Sequence, residues 1–291
     1  MATIKKSRFL LFCLLCLAIL CVFVLYDSET LFKDIPYVEN GTDRQKLDIY
    51  LPRGYRDGPA LPVLVWIHGG GFRTGSKSPM PGRDFLKLGY AMVSIDYRLT
   101  SEAIFPAQAE DCKAAIRWLR ANATTYNFDT DHIGVLGNSA GGVLAAFLGT
   151  TGETKEFDVG ENLNQSSKVQ AVCDFCGSHD LTAPENELLM NNITLYLGGP
   201  PRERKELAVK ASPITYAAMT NAPFLIVHGD EDKSVPLDQS IRFHKALLEA
   251  GAKSELFIRK GVGHTGYDGN DMELKQNVSD FFNKHLKPKK M

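Results

Sequence analysis

The chain reads as an α/β protein built on a mostly parallel central sheet with helices on both faces, and two features predict it. Short runs rich in β-branched and aromatic residues alternate with helical apolar periodicity along nearly the whole length. The interior runs are almost continuously apolar, as strands buried on both faces are, while the first of them alternates like an edge strand. Hydrophobic residues make up 44% of the 291 and charged residues 23%, so the chain can bury a large core and is not disordered.

Taken in order, the strands are Leu47–Leu51, Pro62–Ile67, Ala91–Ile95, His132–Leu136, Val169–Phe175, Pro223–His228 and Ser254–Arg259, each bounded by Gly, Pro or polar residues. Helical patterns fall at Asp84–Leu88, Ala107–Ala121, Val143–Leu148, Leu237–Ala250 and Met272–His285. In the second of these, Ala109, Cys112, Ala115, Ile116 and Leu119 share one face. Residues 177–222 are rich in Asn, Pro and Gly and show no strand, so they read as a cap-like excursion over the sheet rather than a second domain. No repeat or linker divides residues 27–291, which read as one domain.

Residues 1–26 are different. Phe9 to Leu25 is seventeen residues without a charge, preceded by Lys5, Lys6 and Arg8. That pattern reads as an uncleaved signal-anchor, with a cleaved signal peptide as the alternative, and either way the remainder is exported. Five Asn-x-Ser/Thr sequences, at Asn40, Asn122, Asn164, Asn192 and Asn277, are compatible with glycosylation there. Lys+Arg 33 against Asp+Glu 34 gives no basic surface for nucleic acid, and the closing Lys284, Lys287, Lys289 and Lys290 read as a solvated tail. Cys173 and Cys176 have redox- or metal-like spacing but no partner pair, and they end an apolar strand, so buried structural thiols are expected, with no metal.

Three segments carry chemistry. Gly137-Asn-Ser-Ala-Gly-Gly142 joins the Ile133–Leu136 strand to an apolar helix, the setting in which a serine is pushed out on a tight turn as a nucleophile. His68-Gly-Gly-Gly-Phe72 follows the Val63–Ile67 strand, and a glycine run leaves N–H groups free to point at a developing oxyanion. A serine nucleophile needs an oriented base, and Asp232 and His264 follow in the order acid, then histidine, each after a strand. Asp230 and Glu231 compete with Asp232. Of the other histidines, His68 is expected to shape its loop, His228 to pack at a strand end and His179 to be a polar loop residue. Asp96, Tyr97 and Arg98 are expected to pin the glycine loop.

These segments, with Asp96-Tyr-Arg-Leu99, Phe105-Pro-Ala107, His228-Gly-Asp-Glu-Asp232, Val235-Pro236 and Gly263-His264, resemble the α/β-hydrolase superfamily from about Ile35 to Leu286. Within it the chain resembles secreted bacterial esterases grouped with feruloyl and acetylxylan esterases, which share the HGGG and GxSAGG motifs with the hormone-sensitive-lipase branch. The resemblance implies an eight-stranded sheet, no cofactor, and ester hydrolysis by Ser139, Asp232 and His264. It also implies an oxyanion hole from Gly70, Gly71 and the N–H of Ala140. Arg73 and Asn138 depart from the usual pattern and bear on the acyl and alcohol pockets.

The expected activity is a serine carboxylic-ester hydrolase for short acyl groups, because the Leu188-Leu189-Met190 cluster is the only candidate roof and is followed by polar Asn191 and Asn192. An acetylated or feruloylated carbohydrate is the favoured partner, with a lipid ester as the alternative. Rival readings are an arylformamidase-like amidase using the same triad and a catalytically silent binding module on the same fold.

Overall fold

The computed structural model describes residues 29–220 and 222–287. The expected signal-anchor, Lys289 and Lys290 lie outside them. Among the described residues, no helix is long and apolar enough to cross a membrane.

Eight strands form one sheet: β1 (Thr30–Pro36), β2 (Lys46–Leu51), β3 (Leu61–Ile67), β4 (Ala91–Ile95), β5 (Phe128–Asn138), β6 (Ala171–Phe175), β7 (Phe224–Gly229) and β8 (Ser254–Arg259). Their spatial order is β1-β2-β4-β3-β5-β6-β7-β8. Pairing is parallel from β4 through β8, and β2 runs antiparallel to both β1 and β4. The segment expected to be an edge strand is therefore second in the sheet. β1 covers it, and β1 has no clean apolar alternation because Lys33 and Asp34 interrupt it at a register shift between Phe32 and Ile35.

Alternation along β3 sets the two layers. Val63, Val65 and Ile67 join one buried cluster with Ile116, Leu119, Leu144 and Phe243; Leu64 and Trp66 join the other with Phe85, Phe282 and Leu286. The first face is covered by α1 (Ala107–Ala121), α3 (Ala140–Thr150) and α6 (Leu237–Glu249), with the single turn α2 (Ala123–Tyr126) closing after α1. The second face is covered by α7 (Met272–Leu286) and by a 3₁₀ turn at Arg83–Leu88, where a short α-helix was expected. All five residues foreseen on the inner face of α1 are buried. The excursion after β6 carries α4 (Glu187–Leu197), α5 (Lys205–Ala211) and a 3₁₀ turn at Pro213–Met219 before β7 begins. α4 starts at Asn186, whose side chain accepts from the Leu189 N–H, and stops at Gly198 with a left-handed φ of 66°.

Lys287 was expected to be solvated but donates to the Leu88 carbonyl at 2.5 Å and lies 4.8 Å over the Tyr90 ring. Lys284 pairs with Glu255 at 2.8 Å. These contacts tie the end of α7 to the sheet.

Candidate active site

β5 delivers its last residue, Asn138, to Ser139, and α3 starts at the next residue. Ser139 has φ 54° and ψ −119°, a conformation that costs a non-glycine residue about 1–3 kcal/mol and persists only where its surroundings impose it. They do so through two contacts. The Ser139 N–H donates to the Phe175 carbonyl at the end of β6, 2.8 Å away. Gly141 passes so close to β3 that a Cβ would lie 2.1 Å from the Ile67 carbonyl oxygen.

The acid and base come from the loops after β7 and β8. Asp232 Oδ2 lies 2.6 Å from His264 Nδ1, while Oδ1 accepts the Ser234 and Val235 N–H groups at 2.8 and 2.9 Å. Burial alone would raise the Asp232 carboxyl, but hydrogen bonds from His228, His264 and the Val235 N–H outweigh it and hold the group well below the ordinary carboxylate range. Asp232 is therefore an ion at neutral pH, as orienting an imidazole requires. The His264 loop is brought in against β5: at Gly266 a Cβ would lie 2.8 Å from that of Asn138. Asp230 faces solvent instead, accepting the Gly261 N–H at 2.7 Å and pairing with Lys260 at 3.1 Å.

Ser139, His264, Gly70, Gly71 and Ala140 line one cleft of about 270 Å³ at the C-terminal ends of the parallel strands. The glycine loop holds three successive residues at positive φ, 113° at Gly70, 61° at Gly71 and 62° at Phe72. His68 shapes it as expected, its Nδ1 2.8 Å from the Gly69 carbonyl and its ring stacked on Tyr97 at 4.3 Å. Tyr97 does pin the loop, its hydroxyl donating to the His68 carbonyl at 2.9 Å. Arg98 does not: it makes a two-pronged pair with Asp111, fastening α1. Asp96 accepts the Lys77 N–H at 2.6 Å, which holds the segment after the loop.

Sequence reasoning foresaw a roof at Leu188 and Leu189 but missed its extension to Asn192 and Ile193, and it missed two histidine roles. Leu188, Leu189, Asn192 and Ile193 of α4 line the cleft, as do Ser178 and Ser234. His179 lies in a loop, as expected, but inside the protein. It is buried with Nε2 2.8 Å from Asp174 Oδ2 and its ring stacked on Phe243, below the serine turn. His228 also sits against Asp232, with Nε2 3.1 Å from Oδ2. The i, i+4 spacing of His228 and Asp232 was visible, but only the folded loop brings the two side chains together.

Cys173 and Cys176 are buried free thiols. Among the described residues, Cys176, Asp232 and His264 are the group whose ligand atoms come within 4.8 Å of one another. They do not suit a metal: burial pushes the Cys176 thiol far above its ordinary value, and a metal would need it as a thiolate. Asp232 and His264 are already bonded to each other.

The sequence matches the BD-FAE family over residues 47–247, a span that contains Ser139 and Asp232 and ends before His264. Esterase LipQ of Mycobacterium tuberculosis is 32% identical over 254 residues, 84% of this chain and 58% of LipQ, so the chain spans little more than half of that relative. A truncated form of a carbohydrate esterase from gut microbiota superposes with a TM-score of 0.80 at 32% identity, covering 88% of this chain and 95% of that one. The bifunctional GH43-CE of Bacteroides eggerthii gives 0.79 at 35% identity, over 87% of this chain and 38% of the other. With the strand order, the serine turn and the matched span in agreement, the chain belongs to the BD-FAE family, a hormone-sensitive-lipase-like family of α/β-hydrolase esterases.

Proposed function

We propose that the protein hydrolyses carboxylic esters through Ser139, His264 and Asp232. The observation that carries this reading is the 2.6 Å contact between the buried side chain of Asp232 and His264, which lines the same cleft as the strained Ser139. With Nδ1 bound to the carboxylate, His264 has Nε2 left to take the serine proton. Ser139 Oγ bonds to the acyl carbon, and the carbonyl electron pair moves onto oxygen, where the N–H groups of Gly70, Gly71 and Ala140 receive it. Collapse expels the alcohol, which takes the proton from His264. Water then repeats the sequence, with the same imidazole as base, and frees the acid and the serine.

The substrate we infer is a short acyl ester of a carbohydrate. Its support is the small cleft, just under the usual range for ligand sites, and likeness to a protein named as a carbohydrate esterase. A buried methylene contributes about 0.8 kcal/mol only against a dry wall, and the roof presents Leu188, Leu189 and Ile193 beside polar Asn192, Ser178 and Ser234. Rates on p-nitrophenyl acetate, butyrate and palmitate test the acyl part, and a higher kcat/KM on palmitate overturns it. Release of acetate or ferulate from decorated plant glycans tests the alcohol part; failure on all of them while small synthetic esters are cleaved removes it. We also place the catalytic domain outside the cytoplasm with residues 1–26 as its anchor. Deleting them should leave a soluble, active enzyme, and an insoluble product would count against that arrangement.

A further inference from the structure

We propose that His228 is a positioning residue for this triad, its Nε2–H shared between the Val235 carbonyl and the carboxylate oxygen of Asp232 that holds His264. The inference rests on the reading of Asp232 and His264 as acid and base, and adds a fourth member behind them.

The hydrogen-bond pattern fixes the state of the ring. Nε2 hydrogen-bonds the Val235 carbonyl at 2.9 Å and lies 3.1 Å from Asp232 Oδ2, and neither of these can donate, so Nε2 carries the proton. Nδ1 lies 2.7 Å from Ser240 Oγ, a hydroxyl that can donate to it. The ring is therefore satisfied while neutral, which suits its site, because His228 and Ser240 are both buried and an imidazolium there would be costly.

The consequence falls on Asp232. Its Oδ1 takes two backbone N–H groups, and its Oδ2 takes the His264 imidazole with His228 Nε2 beside it at 3.1 Å, so the carboxylate is held from both oxygens. Such a group cannot swing away from His264. The second imidazole also draws negative charge from Oδ2 and so moderates how strongly the carboxylate holds a protonated base. The other titratable group packed against the pair, Cys176, is kept neutral by burial and does not share this role. His228 also touches the carbonyl of Val235, which lines the cleft, but Asp232 is the triad member it reaches.

Two substitutions in the full-length protein separate the donor from the shape. Glutamine can place an amide N–H where Nε2 stood, whereas the asparagine amide reaches only the position of Nδ1. With p-nitrophenyl acetate from about pH 5 to about pH 9, His228→Asn should lower kcat roughly 10-fold or more, as loss of an outer hydrogen-bond partner does, and change KM less than about twofold. Its acidic limb should move to higher pH by about half a unit, because a carboxylate stripped of one donor binds the imidazolium more tightly. His228→Gln should recover most of kcat and return the limb. Equal losses in both variants with an unmoved limb would mean a purely structural role and overturn the proposal. In the unmutated protein, ¹⁵N spectra of labelled histidine should show His228 protonated at Nε2 and not at Nδ1, and the opposite tautomer overturns the proposal without any variant. Ser139→Ala run alongside separates the two failures. Its inactivity together with a wild-type-like His228→Asn removes only His228, whereas an active Ser139→Ala removes the triad and this inference with it.

Discussion

Gly71 in the loop after β3 and Asn192 on α4 are packed backbone against side chain: a Cβ on Gly71 would fall 2.8 Å from Asn192 Cγ. The contact seats the roof helix directly on the glycine loop that lines the cleft with Ser139. It also explains why this position has no side chain, because φ there is 61° and the space is taken.

Gly71→Ala should therefore cost activity more than stability. We expect kcat to fall about 10- to 100-fold through displaced oxyanion donors, with the melting temperature within a few degrees of wild type. Adding Asn192→Ala clears the clash but not the backbone strain, so it should restore part of the loss and not all. Kinetics of the single and double variants check this, and a Gly71→Ala enzyme with unchanged kcat would contradict it.

A second prediction concerns stability far from the cleft. Lys113 and Arg117 on α1 are fully buried and share Asp158, whose Oδ1 lies 3.3 Å from Lys113 Nζ and 3.0 Å from Arg117 Nη1. Burial pushes the Lys113 ammonium below its ordinary value despite that partner. Asp158→Ala leaves two buried cations without their counter-ion, which costs about 3–5 kcal/mol. In a domain of this size that lowers the melting temperature by roughly 10 °C. A calorimetric drop under about 3 °C would show that the cluster is hydrated or rearranges.

The depressed Asp232 carboxyl sets an acid dependence. Because its folded value lies below the unfolded value of about 3.9, the ionised group stabilises the fold fully above that pH. The contribution fades as pH falls toward the folded value. Asp232→Asn lacks it throughout, so the gap in melting temperature between wild type and Asp232→Asn should narrow below about pH 4. Thermal melts in an acid series measure the gap, and a constant one would mean that the carboxylate gains nothing from its partners.

Legibility in the sequence followed locality. The Ala107–Ala121 helix was readable to the residue because its apolar spacing is a property of the segment alone. The serine turn was readable because Gly137 and Gly141 are demanded by backbone contacts that any such turn makes. β1 was not, because its pairing with β2, and not its own pattern, makes it a strand. The roof helix α4 was hidden by Asn191 and Asn192, whose weak helix propensity is overridden by burial of Leu189, Ile193, Tyr196 and Leu197. The buried pair of His179 and Asp174 and the second imidazole on Asp232 depend on loops folding back, and no spacing rule announces them.

The central claim is that Ser139 is the nucleophile, and substituting it tests that claim most directly. In Ser139→Ala, kcat/KM on p-nitrophenyl acetate should fall by about four orders of magnitude or more, because triad members act as a unit. Folding should be intact, since alanine removes one hydroxyl from a half-buried turn at the cleft. A folded Ser139→Ala protein that keeps about a tenth of the wild-type rate would contradict the account.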